Sequence, residues 1–150
     1  MNTNLNFLII TRYQKLLEIL NYRFVAISKD GPGYIPWGVI TFDSTEVDYD
    51  GNFDETTGTF TASRDGMHAF FFNGWLGGKS NYKYIDVYVN GDQENTFEYD
   101  QPRIQSHATI TEFWSLSLKK GDTVSLNNRK ENQMYVSSDR HLYFMGYYVE

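Results

Sequence analysis

From residue 22 onward the chain is cut at short intervals by Asp30-Gly31, Asp50-Gly51, Asp65-Gly66, Asn90-Gly91 and Gly121-Asp122. Such dipeptides adopt the backbone angles that tight reversals need. Between the cuts the residues alternate. Ile85, Val87 and Val89 interleave with Asp86, Tyr88 and Asn90, and Trp114, Leu116 and Leu118 interleave with Ser115 and Ser117. A strand sends successive side chains to opposite faces, so this period of two describes strands buried on one side. The pattern predicts strands at Arg23–Ser28, Gly38–Phe42, Thr59–Ala62, Met67–Trp75, Lys83–Val89, Thr96–Tyr99, Thr109–Leu118, Thr123–Asn127 and Leu142–Val149. That density is expected of an all-β, two-sheet sandwich, and a jelly roll and an immunoglobulin-like fold both satisfy it.

Composition agrees and excludes several classes. The 150 residues include 11 Phe, 12 Tyr and 3 Trp, side chains that suit pleated, half-buried surfaces, and enough chain for one self-sufficient core. There is no cysteine, which removes disulfides, thiolate metal sites and cysteine nucleophiles. A net charge of −6 argues against nucleic acid as a partner, because that requires a clustered basic face. No apolar run is long enough for a membrane span, since Phe7-Leu8-Ile9-Ile10 runs directly into Thr11, Arg12 and Gln14. The same run lacks the flanks of a secretory signal, so no signal peptide is visible, and no Asn-x-Ser/Thr acceptor occurs. Residues 4–21 differ in period. Leu5, Leu8, Ile9, Tyr13, Leu16, Leu17 and Leu20 recur at three- and four-residue spacing behind Asn4, which predicts a short amphipathic helix. The chain therefore divides into a helical leader or short stalk, 1–21, and a globular domain, 22–150.

One segment narrows the fold. Phe42, Asp48, Phe53, Phe60, Gly66, Phe70 and Phe72, with Thr57-Gly58-Thr59-Phe60-Thr61-Ala62 among them, resemble the motif of the globular C1q domain of the C1q and tumour necrosis factor superfamily. His68 stands where that motif usually has Tyr. The resemblance continues through Val87-Tyr88-Val89-Asn90-Gly91, through Leu116 to Val124, and through Phe144-Met145-Gly146-Tyr147. It implies a ten-stranded jelly roll assembled as a homotrimer, with the N-terminal helix in the place of a stalk. The spaced phenylalanines fit this arrangement, because they would interdigitate between sheets about 10 Å apart. Gly66 would permit the tight turn. Tyr82, Tyr84, Tyr88, Trp114, Tyr143, Tyr147 and Tyr148 supply more rings than one small core needs, and a trimer would hide the surplus.

The resemblance implies a non-enzymatic binding module that recognises protein or glycan ligands in the manner of a lectin or pattern-recognition head, extracellular in most of the family. A tumour-necrosis-factor-like receptor ligand is the alternative, and an enzyme ranks last. His68, His107 and His141 are far apart and form no metal-ligand pair, and no nucleophile elbow, P-loop or GxGxxG occurs. Asp92, Glu94, Glu98 and Asp100 lie within nine positions without Lys or Arg and read as an acidic loop. Hard oxygen donors of that kind suit Ca²⁺, and the resemblance points to Asp100 as an axial calcium ligand. The second ligand expected eight positions later is Ala108 here. For a sugar, Trp75, Trp37 and Tyr34 are candidate stacking platforms, and Arg103, Arg129 and Arg140 could pair with a carboxylate.

Overall fold

The computed structural model describes residues 23–28, 33–48, 51–77, 82–100, 107–129, 134–136 and 142–149. The helix expected over 4–21 lies outside the described residues. Those described form β1 (Arg23–Ser28), β2 (Gly33–Tyr34), β3 (Gly38–Val39), β4 (Ser44–Asp48), β5 (Phe53–Asp54), β6 (Thr59–Thr61) and β7 (Gly66–Gly77). There follow β8 (Tyr82–Val89), β9 (Asp92–Asp100), β10 (His107–Leu118), β11 (Thr123–Asn128), β12 (Tyr135–Val136) and β13 (Leu142–Tyr148). No helix occurs among them.

Two antiparallel sheets result. In sheet I, β10 pairs along one edge of β7, from His107 opposite Gly77 to Leu118 opposite Gly66. The other edge of β7 is shared by β13 and the short β12, and β13 leads on through β1 to β4. In sheet II, β11 lies beside β8, and β8 beside β9; β6 and β3 share the other edge of β11, and β5 follows β6. This non-sequential order is that of a jelly roll.

The core between the sheets is built around a cluster of aromatic rings set among aliphatic side chains. Phe42, Phe53, Phe60, Phe70 and Phe72, the spaced rings of the motif, are all buried, together with Phe24 and Phe144. Phe24 stacks on Phe53 with centroids 4.5 Å apart and meets the Phe144 ring edge-on at 5.0 Å. Each such side chain contributes about 1.5–3 kcal/mol by leaving water, so this cluster is the main stabilising element. Trp114 belongs to it: the ring is 8% exposed and stacks on Phe70 and Phe144. This agrees with the alternation that sets Trp114 with Leu116 and Leu118 against Ser115 and Ser117, and it takes Trp114 out of the surplus rings.

Two glycines of the resemblance have packing reasons. Gly58 has φ +64, and a Cβ there would lie 2.0 Å from the Ile40 carbonyl oxygen. At Gly146 a Cβ would lie 2.5 Å from Phe24 Cε1 and 2.9 Å from Phe70 Cδ1, so the ring cluster fills the space a side chain would take. Gly66, with φ 136, opens β7 as the sequence anticipated. Asp48 earns its place in the motif differently: its carboxylate accepts the backbone N–H groups of Asn52 (3.0 Å) and Phe53 (3.2 Å), fixing the turn that delivers Phe53 to the core.

Several boundaries differ from expectation. β4 was not anticipated, because Ser44-Thr45-Glu46-Val47-Asp48 has little apolar signal; it forms because β1 offers it a ladder. The segment Gly38–Phe42 is strand only at its first two residues, although Phe42 still reaches the core. The acidic run is strand throughout, beyond the Thr96–Tyr99 that the alternation predicts. Asp92–Asp100 is one continuous strand, and a register shift opposite Val87 and Tyr88 separates its carboxylates. Asp92 pairs with Val89, on the face that carries Val87, whereas Glu98 pairs with Tyr84 on the opposite face.

Candidate functional site

The features that bear on function lie on the two outer faces and at one point between the sheets. On sheet I, the outward positions line up across five strands. Phe113 of β10 is opposite Phe71 of β7, which is opposite Met145 of β13, then Val25 of β1, then Val47 of β4. Phe113 is 61% exposed, and the other four are half-buried by their own neighbours. The flanking rows add Ala69 and Tyr147 on one side and Asn73, Tyr143 and Ile27 on the other, with Met67 exposed at the end of β7. Inward, the same strands bury Phe70, Phe72 and Phe144. Sheet I is therefore apolar on both faces, a pattern that in a lone domain leaves one of them facing water.

Sheet II has a different outer face. One row runs Val39, Asn127, Asp86 and Thr96, and the next Thr59, Ser125, Tyr88 and Gln93. At its centre Arg129 grips Asp86 with two parallel bonds, Nε to Oδ2 and Nη2 to Oδ1, each 2.7 Å. Thr96 donates its hydroxyl to Oδ1 of Asp86 at 2.6 Å, and Gln93 donates to Thr96 at 2.8 Å. The Arg129 guanidinium lies 4.6 Å from the centroid of the Tyr84 ring, whose hydroxyl donates to Glu98. Asp86 is 3% exposed despite its place on the outer side of the sheet. Burial by itself would raise its carboxyl, but the Arg129 and Thr96 hydrogen bonds and the Arg129 charge prevail and hold it below the ordinary value.

Between the sheets, β9 and β10 are tied together by Phe97 against Trp114, and by the Tyr99 hydroxyl, which donates to Glu112 at 2.5 Å. Burial and the Glu112 carboxylate push the Tyr99 phenol well above its usual range. Lys83 pairs with Tyr99 across the β8–β9 ladder and is fully buried, and burial lowers its ammonium from the ordinary value.

The anticipated site residues are only partly brought together. Trp75 is in β7 with its backbone opposite Thr109, and Asp100 ends β9 opposite Tyr82; their side chains are outside the described residues, as are Arg103 and Arg140 altogether. Ala108 sits in β10 opposite Leu76, and its methyl side chain supplies no oxygen for the expected second calcium ligand. Among the described residues no group of three His, Asp or Glu side chains converges as a metal would need. Arg129, considered above as a partner for a ligand carboxylate, is engaged with Asp86 instead. Trp37 is 62% exposed. His68 is 2% exposed between the Phe60 and Tyr148 rings, and its Nδ1 donates to the Gly66 carbonyl at 3.1 Å. Burial lowers its pKa. This is a packing role for the histidine that replaces the motif Tyr. No helix among the described residues is long and apolar enough to cross a membrane.

Sequence reasoning missed the Asp86–Arg129–Tyr84 assembly and the buried Lys83. Alternation places Asp86 outward, but nothing local signals that an arginine 43 residues later will cover it. Lys83 did have a signal, because it shares the parity of Ile85 and Val87.

A family model of the C1q domain matches residues 24–149. A search of curated proteins returns no match. Among solved structures, the globular domain of zebrafish complement 1qA protein superposes with a TM-score of 0.70 at 17% identity, covering 86% of this chain and 98% of that one. At that identity the likeness speaks for the fold. With the family match extending over nearly all of the described sandwich, the chain belongs to the C1q domain family.

Proposed function

We propose that this domain is a non-enzymatic recognition head that assembles as a homotrimer through the outer face of sheet I. The outer face of sheet II is then turned toward extracellular protein or glycan ligands. The observation that carries the reading is the apolar row Phe113, Phe71, Met145, Val25 and Val47, continuous across five strands. Rings and thioethers in that arrangement need cover, and a self-complementary assembly of identical chains provides it without a second gene product. The family supplies the number three. Sheet II supports the other half of the reading. Its charges are largely neutralised in place, and Asn127, Ser125, Gln93 and Tyr88 present hydrogen-bonding groups and a ring on a rigid frame. Such a face suits weak, neutral contacts that three copies convert into avidity.

The experiment is a binding comparison on glycan and extracellular-protein arrays between the native domain and Phe113→Glu, a change at an exposed position that would disrupt the assembly. Dissociation of the native domain is expected to slow as ligand density on the surface rises, and that dependence is expected to vanish in the variant. Binding that is equally tight and independent of density in both proteins would contradict multivalent recognition.

A further inference from the structure

The sequence contains two Asn-Gly dipeptides, Asn73-Gly74 and Asn90-Gly91. In such a pair the backbone nitrogen of glycine meets little steric obstruction and can attack the asparagine side chain. The first pair lies inside β7, with ladders on both sides: Asn73 is opposite Thr111 and Tyr143, and its amide donates to the Thr111 hydroxyl at 2.7 Å. The second forms the exposed two-residue turn between β8 and β9. Asn90 has φ 52 and Gly91 φ 85, the type I′ geometry that joins hairpin strands.

The side chain of Asn90 is held at both ends. Its Nδ2 donates to Asp122 Oδ1 at 2.9 Å, and its Oδ1 accepts the backbone N–H of Thr123 at 2.9 Å. A third bond joins the Asn90 N–H to the Thr123 carbonyl at 3.0 Å. The other Asp122 oxygen accepts the Lys119 N–H at 2.8 Å. The amide is thus a clasp between the β8–β9 turn and the start of β11. Cyclisation would require it to swing back over its own following peptide, breaking both side-chain bonds.

We propose that Asn90 is a modification site, a spontaneously deamidating asparagine kept as an amide by its grip on Asp122 and Thr123. In the reaction the Gly91 nitrogen gives its proton to solvent base and bonds to Asn90 Cγ. The Cγ–Nδ2 bond breaks, and the nitrogen leaves as ammonia after taking a proton from water. Water then opens the cyclic imide to aspartate or isoaspartate. The net change is amide plus water to acid plus ammonia, with no oxidant or enzyme. A carboxylate at position 90 has no N–H for Asp122 Oδ1 and places a like charge against it. The isoaspartate product also adds a backbone carbon to a turn that has only two residues. The modification therefore opens the clasp, and the β8–β9 hairpin loosens from β11.

The test is peptide mapping for amide-to-acid conversion during prolonged incubation at mildly alkaline pH, with native domain and Asp122→Ala side by side. Loss of a hydrogen bond to a charged group is expected to raise the rate at Asn90 about tenfold or more, with Asn73 unchanged in both proteins. Equal rates at Asn90 in the two proteins would overturn the proposal. Asn73 reports the fold, since an unfolded variant deamidates at both positions. In that event the swap decides: Asn90→Asp is expected to lower the melting temperature, and Asn90→Asp with Asp122→Asn, which restores an amide facing a carboxylate, is expected to recover it. No recovery in the swap would likewise overturn the proposal.

Discussion

On sheet I the central outward positions of five adjacent strands hold Phe113, Phe71, Met145, Val25 and Val47; on sheet II the central outward row holds Val39, Asn127, Asp86 and Thr96. The two sheets share a pleat and one core, so the difference is entirely in what the outer side chains meet. Sheet I spends its outward positions on groups that water solvates poorly. Sheet II buries a charge there, and Arg129 and Thr96 satisfy it within the chain. The contrast teaches that an outward residue is not a solvated one. Phe71 is left half-exposed by its own chain, whereas Asp86 is covered by it.

That contrast can be broken from either side. The largest expected effect is on association: Phe71→Ser with Phe113→Glu should reduce the molecular mass in light scattering to that of a single chain. Phe113→Glu alone adds little direct cost to the fold of the single chain, because Phe113 is exposed there, and any stability it loses comes from lost association. On sheet II the effect should fall on folding and spare association. Arg129→Ala leaves Asp86 buried without its cation and is expected to cost about 3 kcal/mol in urea unfolding, at unchanged mass. A variant that dissociated the assembly instead would mean that sheet II, not sheet I, faces the neighbour.

The shared core sets the scale for both faces. Gly146→Ala forces a methyl group into the Phe24 and Phe70 rings and is expected to cost about 1–3 kcal/mol by denaturant titration. Acid should then separate two windows. His68 is depressed by burial below its ordinary 6.5, so the unfolded chain binds a proton first. Its contribution is complete above about pH 6.5 and lost as pH falls below it, by at most about 1.4 kcal/mol per pH unit. His68→Phe should flatten that slope in thermal melts recorded from pH 7 to 5. Asp86 is depressed below its ordinary 3.8, so the stability it contributes persists above that value and is lost as pH falls through the folded pKa. Arg129→Ala should remove this second, more acidic step. At Trp114 two effects oppose: Trp114→Phe removes a buried Nε1 that has no hydrogen-bond partner among the described residues but leaves a small cavity, so stability should change by only about 1 kcal/mol.

How far the sequence reaches depends on where the information sits. The strands β1, β8, β10, β11 and β13 were legible because their alternation is local, and the motif phenylalanines because each had to enter one core. β4 was not, since Ser44–Asp48 is polar and becomes strand only when β1 lies beside it. Only Thr96–Tyr99 of the acidic run is legible as strand, because Asp92–Asn95 are poor strand formers; β8 supplies a ladder of eight pairs that overrides propensity. The site was less legible still. Arg129 and Asp86 are distant in sequence, and their pairing follows from β11 lying against β8. The apolar row of sheet I was visible only as surplus rings. Of those rings Trp114 carries a local sign of its side, since it shares the parity of Leu116 and Leu118 and is buried.

Cover of the apolar outer face of sheet I by copies of the same chain has a direct signature in solution. Multi-angle light scattering of the native domain at micromolar concentration measures this most directly. The expected mass is near three times 17.5 kDa. A single species of 17.5 kDa, with Phe113 and Met145 open to solvent, would contradict it.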